Sequence, residues 1–167
     1  MKIALLTLAL LGSTSVAITG DEVARSKDGT LTLSLLPRAL VREEVQGCSC
    51  DFYVPKRSAG ASSSVIAWEF GAEKHVPIQI NGATRRLKLI SEIAPGKPGP
   101  DKELRKGDRD VFTLAGDRTK AVIDCKATAT CAENPSESCE ATFYQCKVTV
   151  DADGKRVAVG VEGACGC

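Results

Sequence analysis

The feature that most constrains this chain is its set of eight cysteines, four of them in two Cys-x-Cys pairs. Cys48 and Cys50 form the first pair, and Cys165 and Cys167 form the second at the C-terminus. Cys125, Cys131, Cys139 and Cys146 lie between them. Residues at i and i+2 of a strand point to the same face, so each pair presents two thiols in one direction and cannot easily bond within itself. The two motifs therefore suit each other. If their strands run antiparallel, Cys48 meets Cys167 and Cys50 meets Cys165. The first of these bridges closes a loop of over a hundred residues, which in the chain-entropy view stabilises by roughly 4–5 kcal/mol. The second adds much less, because the loop is already closed.

Disulfides need an oxidising compartment, and the N-terminus supplies a route to one. Met1-Lys2 is followed by the apolar run Ile3 to Leu11 and a small-residue stretch ending Ser15-Val16-Ala17, the three-part layout of a secretory signal peptide. The expected organisation is a signal peptide over residues 1–17 and one disulfide-stapled β-domain over 18–167, exported to the periplasm or secreted. The apolar run falls short of the roughly 20 residues a membrane span requires, and no later run is longer, so no transmembrane segment is expected in the mature chain. Loss of Lys2 leaves 21 of the 22 basic residues against 21 acidic ones. A neutral chain lacks the clustered positive charge that nucleic acid demands, so no nucleic-acid partner is expected.

Periodicity gives the fold class. Apolar residues recur at every second position and are interrupted by Asn-Gly, Asp-Gly and similar pairs, the signature of antiparallel hairpins. A two-residue turn at Asp153-Gly154 sets Val150 against Val157, Val148 against Val159 and Cys146 against Val161, with Asp151 and Arg156 paired on the other face. Asn81-Gly82 sets Val76 against Leu87 and Ile80 against Ala83, leaving Arg85 opposite Ile78 as a misfit. A turn at Asp117-Arg118 brings Leu114 to Ala121 and Phe112 to Ile123. Further strands are expected at Thr30–Leu36, Asp51–Val54 and Val65–Phe70, where Ile66, Trp68 and Phe70 share a face. The segment Pro37–Val45 is the one short helix expected. The expected fold is all-β: a single antiparallel β-barrel or β-sandwich built from hairpins. Ser58–Ser64 and Ala94–Pro100 read as loops, the second because its prolines remove backbone donors. Extending the strands around Asn134-Pro135 places Cys125 opposite Cys146 and nests Cys131 near Cys139, the inner pair needing a bulge or a looser loop.

Candidate chemistry is sparse. The alternative to structural disulfides is a soft-metal site, copper or zinc, held by thiolates of Cys48, Cys50, Cys165 and Cys167. The mature chain has no methionine and one histidine, His75, which argues against the mixed sulfur and imidazole ligands of an exported copper site. Any imidazole-based acid–base chemistry must use His75, which sits in the charged run Glu73-Lys74-His75. No serine occupies a Gly-x-Ser-x-Gly elbow. The stretch from Asp151 to Glu162 fails as a calcium loop, since Lys155 and Arg156 stand where an oxygen ligand and the turn glycine belong. The mixed-sign run from Lys97 to Asp110 reads as solvated surface.

In size, signal peptide and a disulfide beside a C-terminal hairpin, the chain resembles the small β-barrel inhibitor domains of the bacterial envelope, such as lysozyme inhibitors. That resemblance implies a barrel and an envelope enzyme as target. The residues themselves point to an exported, non-catalytic binding or interaction domain, with no catalytic residue and no cofactor expected. Its partner would be a protein or small molecule engaged through loops.

Overall fold

The computed structural model describes residues 21–55, 63–70, 75–93, 104–131 and 140–167. The strands in chain order are β1 (Glu22–Arg25), β2 (Thr32–Ser34), β3 (Ser49–Tyr53), β4 (Ser64–Glu69), β5 (His75–Ile80), β6 (Ala83–Ile93), β7 (Arg109–Gly116), β8 (Thr119–Ala129), β9 (Ala141–Ala152) and β10 (Lys155–Gly166). One helix, α1 (Arg38–Glu44), joins β2 to β3. The fold is a closed antiparallel barrel of the eight strands β3 to β10, in the order β5-β4-β3-β10-β9-β8-β7-β6 and back to β5.

The hairpins follow from local chemistry. Asn81 and Gly82 take φ values of 51° and 76°, and Asp153 and Gly154 take 50° and 77°, the left-handed pair that a two-residue hairpin with native twist requires. The β9–β10 register sets Val150 against Val157, Val148 against Val159 and Cys146 against Val161. The β5–β6 register includes Arg85 opposite Ile78, and that outlier is used: Arg85 donates to Thr119 Oγ1 at 2.7 Å and to Asp153 Oδ2 at 3.0 Å, tying two turns together. A bulge between Ala127 and Ala129 shifts the β8–β9 register by one residue.

Closure is uneven around the barrel. β3 and β10 pair over five residues, whereas β4 and β5 meet at one bridge, Ile66 with Ile78. The C-terminal end of that edge of β5 is taken by β2, where Leu33 pairs with Ile80 and Ser34 with Gln79. The Asn81 side chain fastens β2 there, accepting from Thr32 N at 2.7 Å and donating to Thr30 O at 3.2 Å. β1, which alternation in the sequence does not reveal, pairs with β2.

The core is aliphatic along most of its length and aromatic at one level. Phe52, Trp68 and Phe112 pack with ring centroids 5.4–5.8 Å apart. Phe52 lies directly over Gly163, where a Cβ would come within 2.4 Å of the ring. On β4 even the outward Val65 and Ala67 are buried, because the chain at Leu36 bonds to Ser64 O and α1 lies alongside.

Four expectations need correction. Phe70 does not share the inward face of Ile66 and Trp68; it follows the end of β4 and is 44% exposed. The strand expected at Thr30–Leu36 is only three residues long. Pro37 precedes the helix as its N-cap and is not in the first turn. Asp110 is not solvated: it opens the inward face of β7 and is 2% exposed. The loop expected at Ala94–Pro100 lies outside the described residues, as does most of that at Ser58–Ser64.

Candidate functional site

Three disulfides lie among the described residues: Cys48–Cys167, Cys50–Cys165 and Cys125–Cys146. Cys139 lies outside the described residues, and the expected Cys131–Cys139 bridge with it. The four outer thiols considered for a metal are thus joined in two pairs, and a disulfide sulfur offers no thiolate. Among the described residues no three metal-type side chains converge. His75 is exposed at the start of β5, on the opposite wall of the barrel from β9.

Sheet geometry assembles a different site. On β8 and β9 the bridged cysteines point inward, so their sequence neighbours point outward. Asp124 and Lys126 flank Cys125, while Gln145 and Lys147 flank Cys146, and all four line one groove of about 580 Å³ on the outside of the barrel. Arg109, Gly160 and Glu162 extend it onto β7 and β10, and Pro55 and Gly107 stand at its ends. In register, Arg109, Lys126, Gln145, Glu162 and Tyr53 form a single row across five strands. At about 4.8 Å per strand the row spans roughly 19 Å.

The charges in the groove are unequally satisfied. Arg109 forks onto Asp124 with two bonds of 2.6 Å, which holds the Asp124 carboxyl below the usual carboxylate range and the guanidinium above its own. No hydrogen bond or close ion pair holds the ammonium groups of Lys126 and Lys147 among the described residues, and Lys147, opposite Asp124 in register, adds to the lowering of that carboxyl from a longer distance. Gly160, opposite Lys147, is exposed, and a Cβ there would meet nothing within 4 Å. The missing side chain opens the groove at that point.

A second depression of about 330 Å³ adjoins the first and shares Gln145 and Glu162 with it. Its distinctive residues are Tyr53, Thr128 and Phe143. Phe143 is 48% exposed on the outer face of β9, whose other residues are polar or small. Burial, followed by the nearby carboxylates of Glu162 and Asp51, pushes the Tyr53 phenol up from its usual range.

Behind this face a polar contact is buried inside the barrel. Tyr144 donates to Asp110 Oδ2 at 2.8 Å, and Asp110 Oδ1 is buried without a partner. The phenol pKa is raised strongly, first by burial and then by this bond.

Sequence reasoning missed the groove because outward charges on a strand read as solvated. The signal was nevertheless present: once Cys125 is set against Cys146, the triplets Asp124-Cys125-Lys126 and Gln145-Cys146-Lys147 must place four polar side chains together on the outside. Comparison with protein families, with curated proteins and with solved structures finds no match for this chain.

Proposed function

We propose that this protein is an exported, non-catalytic binding domain whose ligand seats in the outward groove of β7 to β10. The observation that carries the reading is the position of the Cys125–Cys146 bridge immediately behind Asp124, Lys126, Gln145 and Lys147. A cross-strand bridge fixes the two backbones that present these side chains, so the groove is held in shape before a ligand arrives, which lowers the ordering cost of binding. Export is supported by the N-terminal apolar segment and by intramolecular disulfides, which persist in oxidising compartments.

Filling the groove tests the reading. Gly160→Trp places an indole over Lys147 with no backbone in its way, so the variant should melt like the parent. Immobilised parent and variant are incubated with a fractionated cell-envelope extract, and retained molecules are identified by mass spectrometry. The expected result is a component retained by the parent and lost from the Gly160→Trp protein. Equal retention by both would place binding elsewhere on the barrel.

A further inference from the structure

We propose that the ligand of this groove is an anionic saccharide, an inference that rests on the groove being the binding site. Three observations converge on that chemistry. The first is charge. Arg109 forks onto Asp124, with Lys147 directly opposite that carboxylate in register, so the groove sets three cations, Arg109, Lys126 and Lys147, against two carboxylates, Asp124 and Glu162, and keeps an excess of positive charge. Lys147 lies two residues beyond the register partner of Lys126, and such diagonal neighbours stand about 7–8 Å apart, close enough for both to reach one acid group.

The second observation is the aromatic surface beside that charge. Phe143 and Tyr53 line the adjoining depression, with Gln145 and Glu162 between it and the lysines. A pyranose ring offers an apolar C–H face for the exposed phenyl ring and hydroxyls for the amide and the carboxylate. The row from Lys126 to Tyr53 crosses three strand spacings, roughly 14 Å, which is room for more than one ring.

The third observation favours sugar over an acidic peptide. The floor of the groove lies mid-sheet, where β8 is paired with β7 and β9, and β9 with β8 and β10. An extended peptide binds by adding to an open strand edge through backbone hydrogen bonds. This floor has no such edge to offer, and recognition must run through side chains alone. A ligand dense in hydroxyls suits that surface.

Calorimetric titration of the intact, oxidised protein tests the inference with four defined probes: a galacturonate tetrasaccharide, a sulfated tetrasaccharide, a neutral cello-tetrasaccharide and tetraglutamate. Binding of the uronate or the sulfated probe, weakening with added salt, supports the proposal, and the stronger of the two identifies the acid group. Lys126→Glu/Lys147→Glu should weaken that binding roughly tenfold or more, and Phe143→Ala roughly fivefold. Both variants alter exposed side chains, and near-UV circular dichroism checks their fold. Three results would overturn the proposal: equal binding of the neutral probe, unchanged affinity in the double lysine variant, or no saccharide binding at all. If tetraglutamate binds in place of the sugars and Gly160→Trp abolishes it, the saccharide inference fails while the groove stands. If Gly160→Trp affects no ligand, the groove fails as well.

Discussion

Tyr144 reaches across β8 inside the barrel to give Asp110 its hydrogen bond, 2.8 Å from phenol oxygen to Oδ2. The reach is possible because Tyr144 is set against Ala127, whose methyl group leaves the space free. Asp110 Oδ1 is already buried without a partner, so removing the phenol strands the whole carboxyl group. Tyr144→Phe should therefore lower stability by about 1–3 kcal/mol. Adding Asp110→Asn, which removes the possibility of a buried charge, should recover part of that loss. Urea denaturation of the parent, single and double variants measures both effects, and a Tyr144→Phe protein as stable as the parent would contradict the assignment.

The two bridges that join β3 to the C-terminus are nearly redundant in entropy. Cys48–Cys167 and Cys50–Cys165 close loops with sequence separations of 119 and 115. Losing either leaves the other to close almost the same loop. Cys48→Ser/Cys167→Ser should thus cost less than about 1 kcal/mol, while removing both bridges should cost about 4–5 kcal/mol. Thermal unfolding of the three proteins under non-reducing conditions gives the comparison. Additive losses from the two bridges would show that each acts through something other than loop closure.

Glycines on β10 should differ sharply in what they tolerate. A methyl group at Gly163 would meet Phe52 Cδ1 at 2.4 Å and Cε1 at 2.7 Å, in a core where Phe52 is held by Trp68 and Phe112. Gly163→Ala should destabilise by about 1–3 kcal/mol through overpacking. Gly160→Ala, on the same strand with open space around its Cβ, should be neutral or slightly stabilising. Chemical denaturation of the two variants side by side separates a packing requirement from a general dislike of substitution in this strand.

Asp51 sets a pH dependence of its own. Its side chain lies on the outer face of β3, between Ala164 and Ala67. Burial pushes its carboxyl above the usual range, and the Ser64 hydroxyl, donating at 3.1 Å, opposes this only in part. The native state therefore holds this proton more tightly than the unfolded chain does. Its contribution is fully present below the unfolded pKa of about 3.9 and is lost as pH rises through the higher native value. Asp51→Asn should be more stable than the parent at pH 7, with the difference shrinking toward pH 4. Asp124, lowered by Arg109, and Asp28, lowered by Lys155, act in the opposite direction in acid. They are common to both proteins and cancel in the difference. A pH series of melting temperatures tests this, and a gap that stays constant from pH 4 to pH 7 would rule it out.

How far the sequence could be read depended on how local the determining interaction was. The Asn81-Gly82 and Asp153-Gly154 turns fix their hairpins within a few residues, so pattern and structure agree on register down to Arg85 opposite Ile78. The β3–β10 seam is long-range, yet the two Cys-x-Cys motifs mark both of its strands at one end. Where no such marker exists the sequence is silent. β1 is four residues without alternation, and its ladder is formed with β2. Asp110 ends a run of mixed charge that looks solvated, and nothing nearby in sequence announces that a tyrosine 34 positions later will meet it. The groove failed to show for a related reason. A charge that faces water and a charge that faces a ligand obey the same strand periodicity, and only the lateral order of β7, β8, β9 and β10 brings Arg109, Lys126, Gln145 and Glu162 into one row.

The pairing of both Cys-x-Cys motifs also changes what a cut in the backbone would do. Between Cys50 and Cys165 the chain is a covalent ring, closed by Cys50–Cys165 and closed again just outside by Cys48–Cys167. A protease that severs any one peptide bond in that span opens the ring without releasing a fragment. The two pieces would still migrate as one molecule until a reductant is added. For the exported protein proposed above, a single nick would be survivable damage, and the assembled barrel would keep its groove after its backbone has been broken.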